Sequence, residues 1–128
     1  MNRRALFFAG LALPLAARAA DAASTVEVVY VGGKDCPYCA LWREKYEAEW
    51  RASPEFRRVE WIEIEPAHLR DAYQSRYWPG ELAGILEQVP RKNGTPRFLI
   101  VKNGKVVFNE LGADKWRRTV LAMQNELG

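Results

Sequence analysis

Two cysteines, Cys36 and Cys39, make up the whole thiol content of the 128-residue chain, and only Pro37 and Tyr38 separate them. Disulfide exchange runs through a thiolate, so a cysteine pair becomes useful where one sulfur is held negative and the other can reach it. Residues 26–31 read as a strand and Pro37 as the first residue of a helix, which puts Cys36 at the helix N-terminus. Unpaired backbone N–H groups and the positive end of the helix dipole favour a negative sulfur there. Proline costs no hydrogen bond in that first turn. Cys39 lies one turn along, more shielded, and placed to attack a mixed disulfide formed on Cys36. The spacing assigns Cys36 as nucleophile and Cys39 as resolving thiol.

Other uses of the pair fit less well. A cross-link closing four residues removes little chain entropy, so it makes a poor structural staple. A zinc site needs about two further ligands, and the chain offers no second cysteine pair and a single histidine, His68. Two inert buried thiols sit badly with the loop context. No metal or organic cofactor is expected. A lone surface histidine is more often solvated than catalytic, and His68 is left out of the site.

The elements around the motif follow from periodicity. Val26–Val31 (VEVVYV) is nearly continuous in apolar character, as a central strand covered on both faces should be. Gly32-Gly33-Lys34-Asp35 delivers the chain to Cys36. Residues 37–50 are helical in pattern, with Trp42, Tyr46 and Trp50 recurring every four residues as a core stripe, and Ser53-Pro54 ends the helix. Residues 57–64 read as a second strand. Glu65-Pro66 opens a short helix carrying Leu69, Ala72 and Tyr73, and Trp78-Pro79-Gly80 breaks it. Leu82, Ile85, Leu86 and Val89 then mark another amphipathic helix. The 66–90 stretch is long for a connection. Its aromatics Tyr73, Tyr77 and Trp78 serve either partner docking or packing. Asn93-Gly94-Thr95-Pro96 leads into a strand at 97–101, and Asn103-Gly104 joins it to a strand at 105–108 as a hairpin. Residues 114–127 form a last helix with Trp116, Val120, Met123 and Leu127 inward and Asp114 as N-cap.

The start of the chain is of a different kind. Met1-Asn2-Arg3-Arg4 is basic, residues 5–17 are apolar, and small residues follow at 17–22. That is the plan of a secretory signal over residues 1–22, with an apolar run too short to span a bilayer. Arg3-Arg4 leaves open a twin-arginine signal beside the ordinary secretory one. The 23–128 domain is thus expected in a periplasm. Formal net charge is +3, from 19 basic and 16 acidic residues. Without Arg3, Arg4, Arg18 and Asp21 the counts become 16 and 15, or +1. No basic stripe calls for nucleic acid. The remaining chain, about 105 residues, suits one domain with a single core, expected as a monomer.

Strand, C-x-x-C on a helix, strand, helix, Thr-Pro, hairpin, helix: in this order the chain resembles the thioredoxin superfamily over residues 25–127. Val-Val-Tyr before the motif and Cys36-Pro37-Tyr38-Cys39 are glutaredoxin-like. Thr95-Pro96 followed by strand, Asn-Gly and strand is more like thioredoxins, and Leu111-Gly112-Ala113 falls at their glycine loop. The signal and short architecture resemble the small periplasmic thioredoxins of sulfur-oxidation systems. The resemblance implies a three-layer α/β/α fold with a central mixed four-stranded sheet. It also implies a cis Pro96 facing the cysteines, a Thr95 backbone that pairs with an extended substrate, and Pro37 and Tyr38 on the substrate face. Lys34 favours a Cys36 thiolate and Asp35 opposes it.

Two departures stand out. Thioredoxins carry an aspartate six residues before the first cysteine, where this chain has Tyr30, so proton transfer at Cys39 must use water or another acid. They also place Gly-Pro between the cysteines. The expected function is periplasmic thiol–disulfide exchange with protein substrates, as a reductase rather than an oxidase, fed by a membrane thiol donor. Two alternatives stand beside it. One is a glutathione-linked activity, for which Gly112-Ala113-Asp114 echoes the acidic turn of glutaredoxins. The other is a non-enzymatic exported protein that grips a partner through 66–90.

Overall fold

The computed structural model describes residues 25–128, so the secretory signal expected at 1–22 lies outside the described residues. Four strands form one mixed sheet in the order β2-β1-β3-β4. They are β1 (Val26–Val31), β2 (Glu60–Ile64), β3 (Arg97–Lys102) and β4 (Lys105–Leu111). β1 runs parallel to β2 and antiparallel to β3, and β3 runs antiparallel to β4. The parallel pair needs a crossover, and the helix after the cysteines supplies it. That helix, α1 (37–52), is continuous, although its middle turn, Arg43–Glu47, has π-type bonding. Ser53 then leaves helical geometry and accepts the Phe56 N–H on its Oγ at 3.2 Å, capping the short α2 (Pro54–Arg58).

The β1 side chains alternate between two cores, because successive residues of a strand point to opposite faces. Val26, Val28 and Tyr30 join Phe98 and Ile100 under α1 and the C-terminal helix α4 (Trp116–Leu127). Val29 and Val31 join Leu99 and Val101 under the 65–90 segment, where Trp78, Leu82, Ile85, Leu86 and Val89 are buried. The result is the expected three-layer α/β/α arrangement. The first core is aromatic: Trp42 lies 5.2 Å from Tyr30, 5.6 Å from Phe98 and 5.1 Å from Trp116, measured between ring centroids. Trp116 also meets Trp50 at 5.2 Å. Offset and edge-on aromatic pairs of this kind contribute about 0.5–1.5 kcal/mol each beyond their buried area.

Several boundaries differ from the sequence reading. The strand expected from 57 begins at Glu60, because the Ser53 cap and Pro54 start a helical turn that carries through Arg58. The helix expected after Glu65-Pro66 is instead two separate 3₁₀ turns, Leu69–Asp71 and Ser75–Tyr77. The amphipathic pattern at 82–89 is met by the 3₁₀ turn Gly80–Leu82 and α3 (Ala83–Glu87). All four of its apolar residues are buried, as the periodicity required, while hydrogen bonding is helical for barely a turn. Asp114 does not cap α4; it sits within a 3₁₀ turn, Ala113–Lys115, and Lys115 precedes the helix without a side-chain cap. The Asn103-Gly104 hairpin turn forms with φ of 54° and 77°, a left-handed geometry that suits these two residues.

Trp116 ties α4 to α1, β2 and β3 through rings, so truncating it leaves a large hole in the aromatic core. Trp116→Ala is expected to lose about 3–5 kcal/mol of unfolding free energy in urea titrations. Leu121→Ala, on the exposed side of the same helix with 63% of its surface accessible, should stay within about 0.5 kcal/mol of the parent.

Candidate functional site

The loop between β1 and α1 is held from one side by the start of the 65–90 segment. The Gly32 N–H donates to the Ile64 carbonyl at 2.7 Å and the Lys34 N–H to the Pro66 carbonyl at 3.0 Å. Gly33 presses so close to Leu69 that a Cβ there would lie 2.6 Å from the Leu69 backbone nitrogen and Cα, so only glycine fits. Asp35 completes the attachment: its Oδ1 accepts the Leu69 N–H at 2.7 Å, and its Oδ2 lies 3.4 Å from His68 Nδ1. The bond from Leu69, opposed by desolvation and aided by His68, holds the Asp35 carboxyl below the usual aspartate range.

Cys36 is the N-cap of α1 and Pro37 occupies its first turn. The two cysteines are joined as a disulfide, with 5.2 Å between their Cα atoms. The Cys39 N–H donates to Cys36 Sγ at 3.1 Å, a free helix-terminal amide aimed at the sulfur. The expected difference in shielding is not present in this disulfide state: Cys36 is 3% and Cys39 2% exposed. The reason lies across the site, where the Thr95–Pro96 peptide bond is cis and Thr95 Oγ1 lies against Cys36 Sγ at 3.0 Å, donating to it. The Pro96 carbonyl in turn accepts the Gly112 N–H at 2.8 Å.

Beside the disulfide lies a groove of about 400 Å³ whose lining includes Tyr38, Leu41, Thr95, Leu111, Ala113 and Asp114. Tyr38, 65% exposed, stands at its rim, and Leu41 and Leu111 are also exposed. Of the residues expected at a substrate face, Tyr38 and Thr95 share this groove. Pro96 is buried, and Pro37 is exposed on the helix start without lining the groove.

Tyr30 is fully buried in the aromatic core. Its hydroxyl donates to Glu65 Oε2 at 3.1 Å, and Arg43 bridges Glu65 at 2.7 Å and Glu63 at 2.8 Å while stacking over the Tyr30 ring. Burial pushes the Tyr30 phenol well above its ordinary value, partly offset by the Arg43 charge. Tyr30 is therefore a fixed neutral donor. Its partner Glu65 brings a carboxylate to this side of the sheet from the end of β2, a placement with no signal in the order of residues along the chain.

Two further residues lie outside the site expected from the sequence. His68 is exposed but sits on Asp35, the residue before Cys36. Arg97 is buried with four hydrogen bonds, and its one sequence signal is a charge opening an otherwise apolar central strand.

No protein-family model and no curated protein sequence matches the chain. Solved structures do. Spinach chloroplast thioredoxin f superposes with a TM-score of 0.55 at 19% identity, covering 81% of this chain and 78% of that one. Thioredoxin from Malassezia sympodialis gives 0.56 at 19%, over 80% and 76%. Thioredoxin from Fasciola hepatica gives 0.52 at 24%, over 88% and 93%. This is a thioredoxin fold. The Cys36–Cys39 pair stands in C-x-x-C spacing at the start of α1 in this fold. Identities this low leave the fold as the shared property and place the burden of function on the residues of the site.

The Asp35 attachment of this thioredoxin fold has a pH signature. The carboxylate is stabilised in the native loop, so its contribution is complete above the ordinary aspartate value of 3.8 and is lost as pH falls through the lower folded-state value. Asp35→Asn, which still offers an oxygen to Leu69, should flatten the decline of the thermal midpoint between about pH 5 and about pH 3. Circular dichroism melts of both proteins across that range check this; superimposable declines would remove Asp35 from the account.

Proposed function

We propose that this protein is a periplasmic thiol–disulfide oxidoreductase that acts on protein substrates. The observation that carries the reading is the Cys36–Cys39 disulfide at the start of α1, with the Cys39 amide and the Thr95 hydroxyl both directed at Cys36 Sγ. Groups that donate to the sulfur in the disulfide are equally placed to donate to a thiolate once the pair is reduced. In the reducing direction the Cys36 thiolate attacks a substrate disulfide, forming a mixed disulfide and releasing one substrate thiolate. Cys39, deprotonated, then attacks Cys36 Sγ, closes the internal disulfide and releases the second substrate thiolate. Two electrons pass from the dithiol to the substrate, and a membrane thiol donor restores the pair.

A reducing role is favoured by Asp35. Its carboxylate is kept ionised immediately before Cys36, where like charge disfavours a thiolate, and a less stabilised thiolate goes with a more reducing pair. Protein rather than glutathione as partner is favoured by the groove: Asp114 is its one charged lining residue, so the carboxylates of glutathione would meet no cation there. Export rests on the basic, apolar and small-residue order of residues 1–22, and a disulfide is at home outside a reducing cytoplasm. The Tyr30 substitution favours a donor other than thioredoxin reductase.

Equilibration of the 23–128 domain with thiol buffers, followed by trapping of free thiols, should give a reduction potential near or below about −230 mV. A value near about −120 mV would overturn the reducing direction, and failure to form the disulfide at any poise would overturn the redox reading. Cys36→Ser should abolish reduction of a protein disulfide, whereas Cys39→Ser should accumulate a mixed disulfide visible on non-reducing gels. Turnover that survives Cys39→Ser with a glutathionylated substrate would point to glutathione instead.

A further inference from the structure

Arg97 opens β3 directly after the cis proline, on the face that continues with Leu99 and Val101 into the second core. An apolar side chain would extend that core, yet the position holds a guanidinium with only 5% of the residue exposed. Burial of a charge is costly unless its hydrogen bonds are met. Here Nε donates to the Tyr73 hydroxyl at 2.7 Å and one terminal nitrogen to Asn109 Oδ1 at 2.6 Å. The other donates to the carbonyls of Arg91 at 2.7 Å and Asn93 at 3.1 Å. Among the described residues these hydrogen-bond partners are all neutral oxygens, so no ion pair offsets the burial. The Tyr73 hydroxyl passes the connection on, donating to the Gly94 carbonyl at 2.6 Å, and the guanidinium lies over the Tyr73 ring.

The carbonyls so gathered belong to Arg91, Asn93 and Gly94, which lead straight into Thr95. We infer that Arg97, with Tyr73 as its relay, is the positioning residue that folds the 91–94 loop and thereby sets the Thr95–Pro96 wall against Cys36 for a protein substrate. The inference rests on the oxidoreductase reading above and adds to it a residue that touches neither sulfur nor substrate. The planar fork of arginine reaches acceptors in several directions at once, which the single ammonium of lysine does not. Lysine at this position therefore keeps the charge and loses the loop. Cys36 then loses the Thr95 hydroxyl but keeps the Cys39 amide, so its reactivity toward a small disulfide should fall less than toward a protein substrate, which must also lie along the displaced wall.

The test compares parent, Arg97→Lys and Tyr73→Phe in steady-state reduction of insulin and of hydroxyethyl disulfide, with dithiothreitol as donor and melts to confirm folding. Displacement of the wall should raise the KM for insulin roughly tenfold in Arg97→Lys, and by a smaller factor in Tyr73→Phe, with a clearly smaller loss on hydroxyethyl disulfide in each variant. An unchanged insulin KM in folded Arg97→Lys overturns the inference. If the lysine variant does not fold, an unchanged KM in Tyr73→Phe overturns it. Equal losses on both substrates also overturn it, since they would mark general damage rather than a misplaced wall. A parent that reduces neither substrate would instead refute the oxidoreductase reading itself.

Discussion

The hydrogen bond from the Cys39 amide to the Cys36 sulfur exists because Cys36 is the last residue before helical geometry begins, and that starting point is constrained from both directions. Ahead of it, β1 is the inner strand between β2 and β3, so its end cannot shift without breaking two ladders. Behind it, Trp42 and Trp50 lock α1 into the aromatic core at a fixed rotation. Between these anchors the four residues 32–35 have little freedom left, and their remaining bonds go to residues 64–69. The geometry at the sulfur is a consequence of burial some distance from it.

The two faces of the sheet serve that geometry differently. The aromatic face supplies rigidity: α1 and α4 meet there across rings rather than across aliphatic chains. The opposite face supplies the supports that touch the site from outside the helix. Its segment provides Leu69, His68 and Pro66 to one side of the cysteines, and Tyr73 to the loop on the other side. A stretch that looks like an irregular connection is thus the backing against which both sides of the disulfide are set. Trp78, buried there with its indole N–H on the Ala72 carbonyl, belongs to packing.

Local patterns made much of this legible in the order of residues. Period-two alternation is faint in β1 because both faces are covered, yet the unbroken β-branched run itself marks a central strand. C-x-x-C after a strand and Asn-Gly between two strands are short-range signals, and both lead to the observed elements. What escaped depends on distance in the chain. Ser53-Pro54 both ends one helix and starts another, and the periodicity of α1 hid the second function. The apolar spacing at 82–89 correctly identified buried positions, but a brief 3₁₀ and α combination buries them as well as a long helix does. Glu65 acquires its role from Tyr30, 35 residues before it. Arg97 joins the nearby carbonyls of Arg91 and Asn93 to Tyr73 and Asn109, 24 and 12 residues away, and no local pattern announces these pairings.

β3 begins at the disulfide and runs away from it, so the Asn103-Gly104 turn stands at the other end of the sheet, about 20 Å distant for a six-residue strand. Both turn residues are exposed. That separation makes the hairpin tip a handle: a fluorophore or affinity label attached there would report on the whole domain while leaving the thiol chemistry out of its reach.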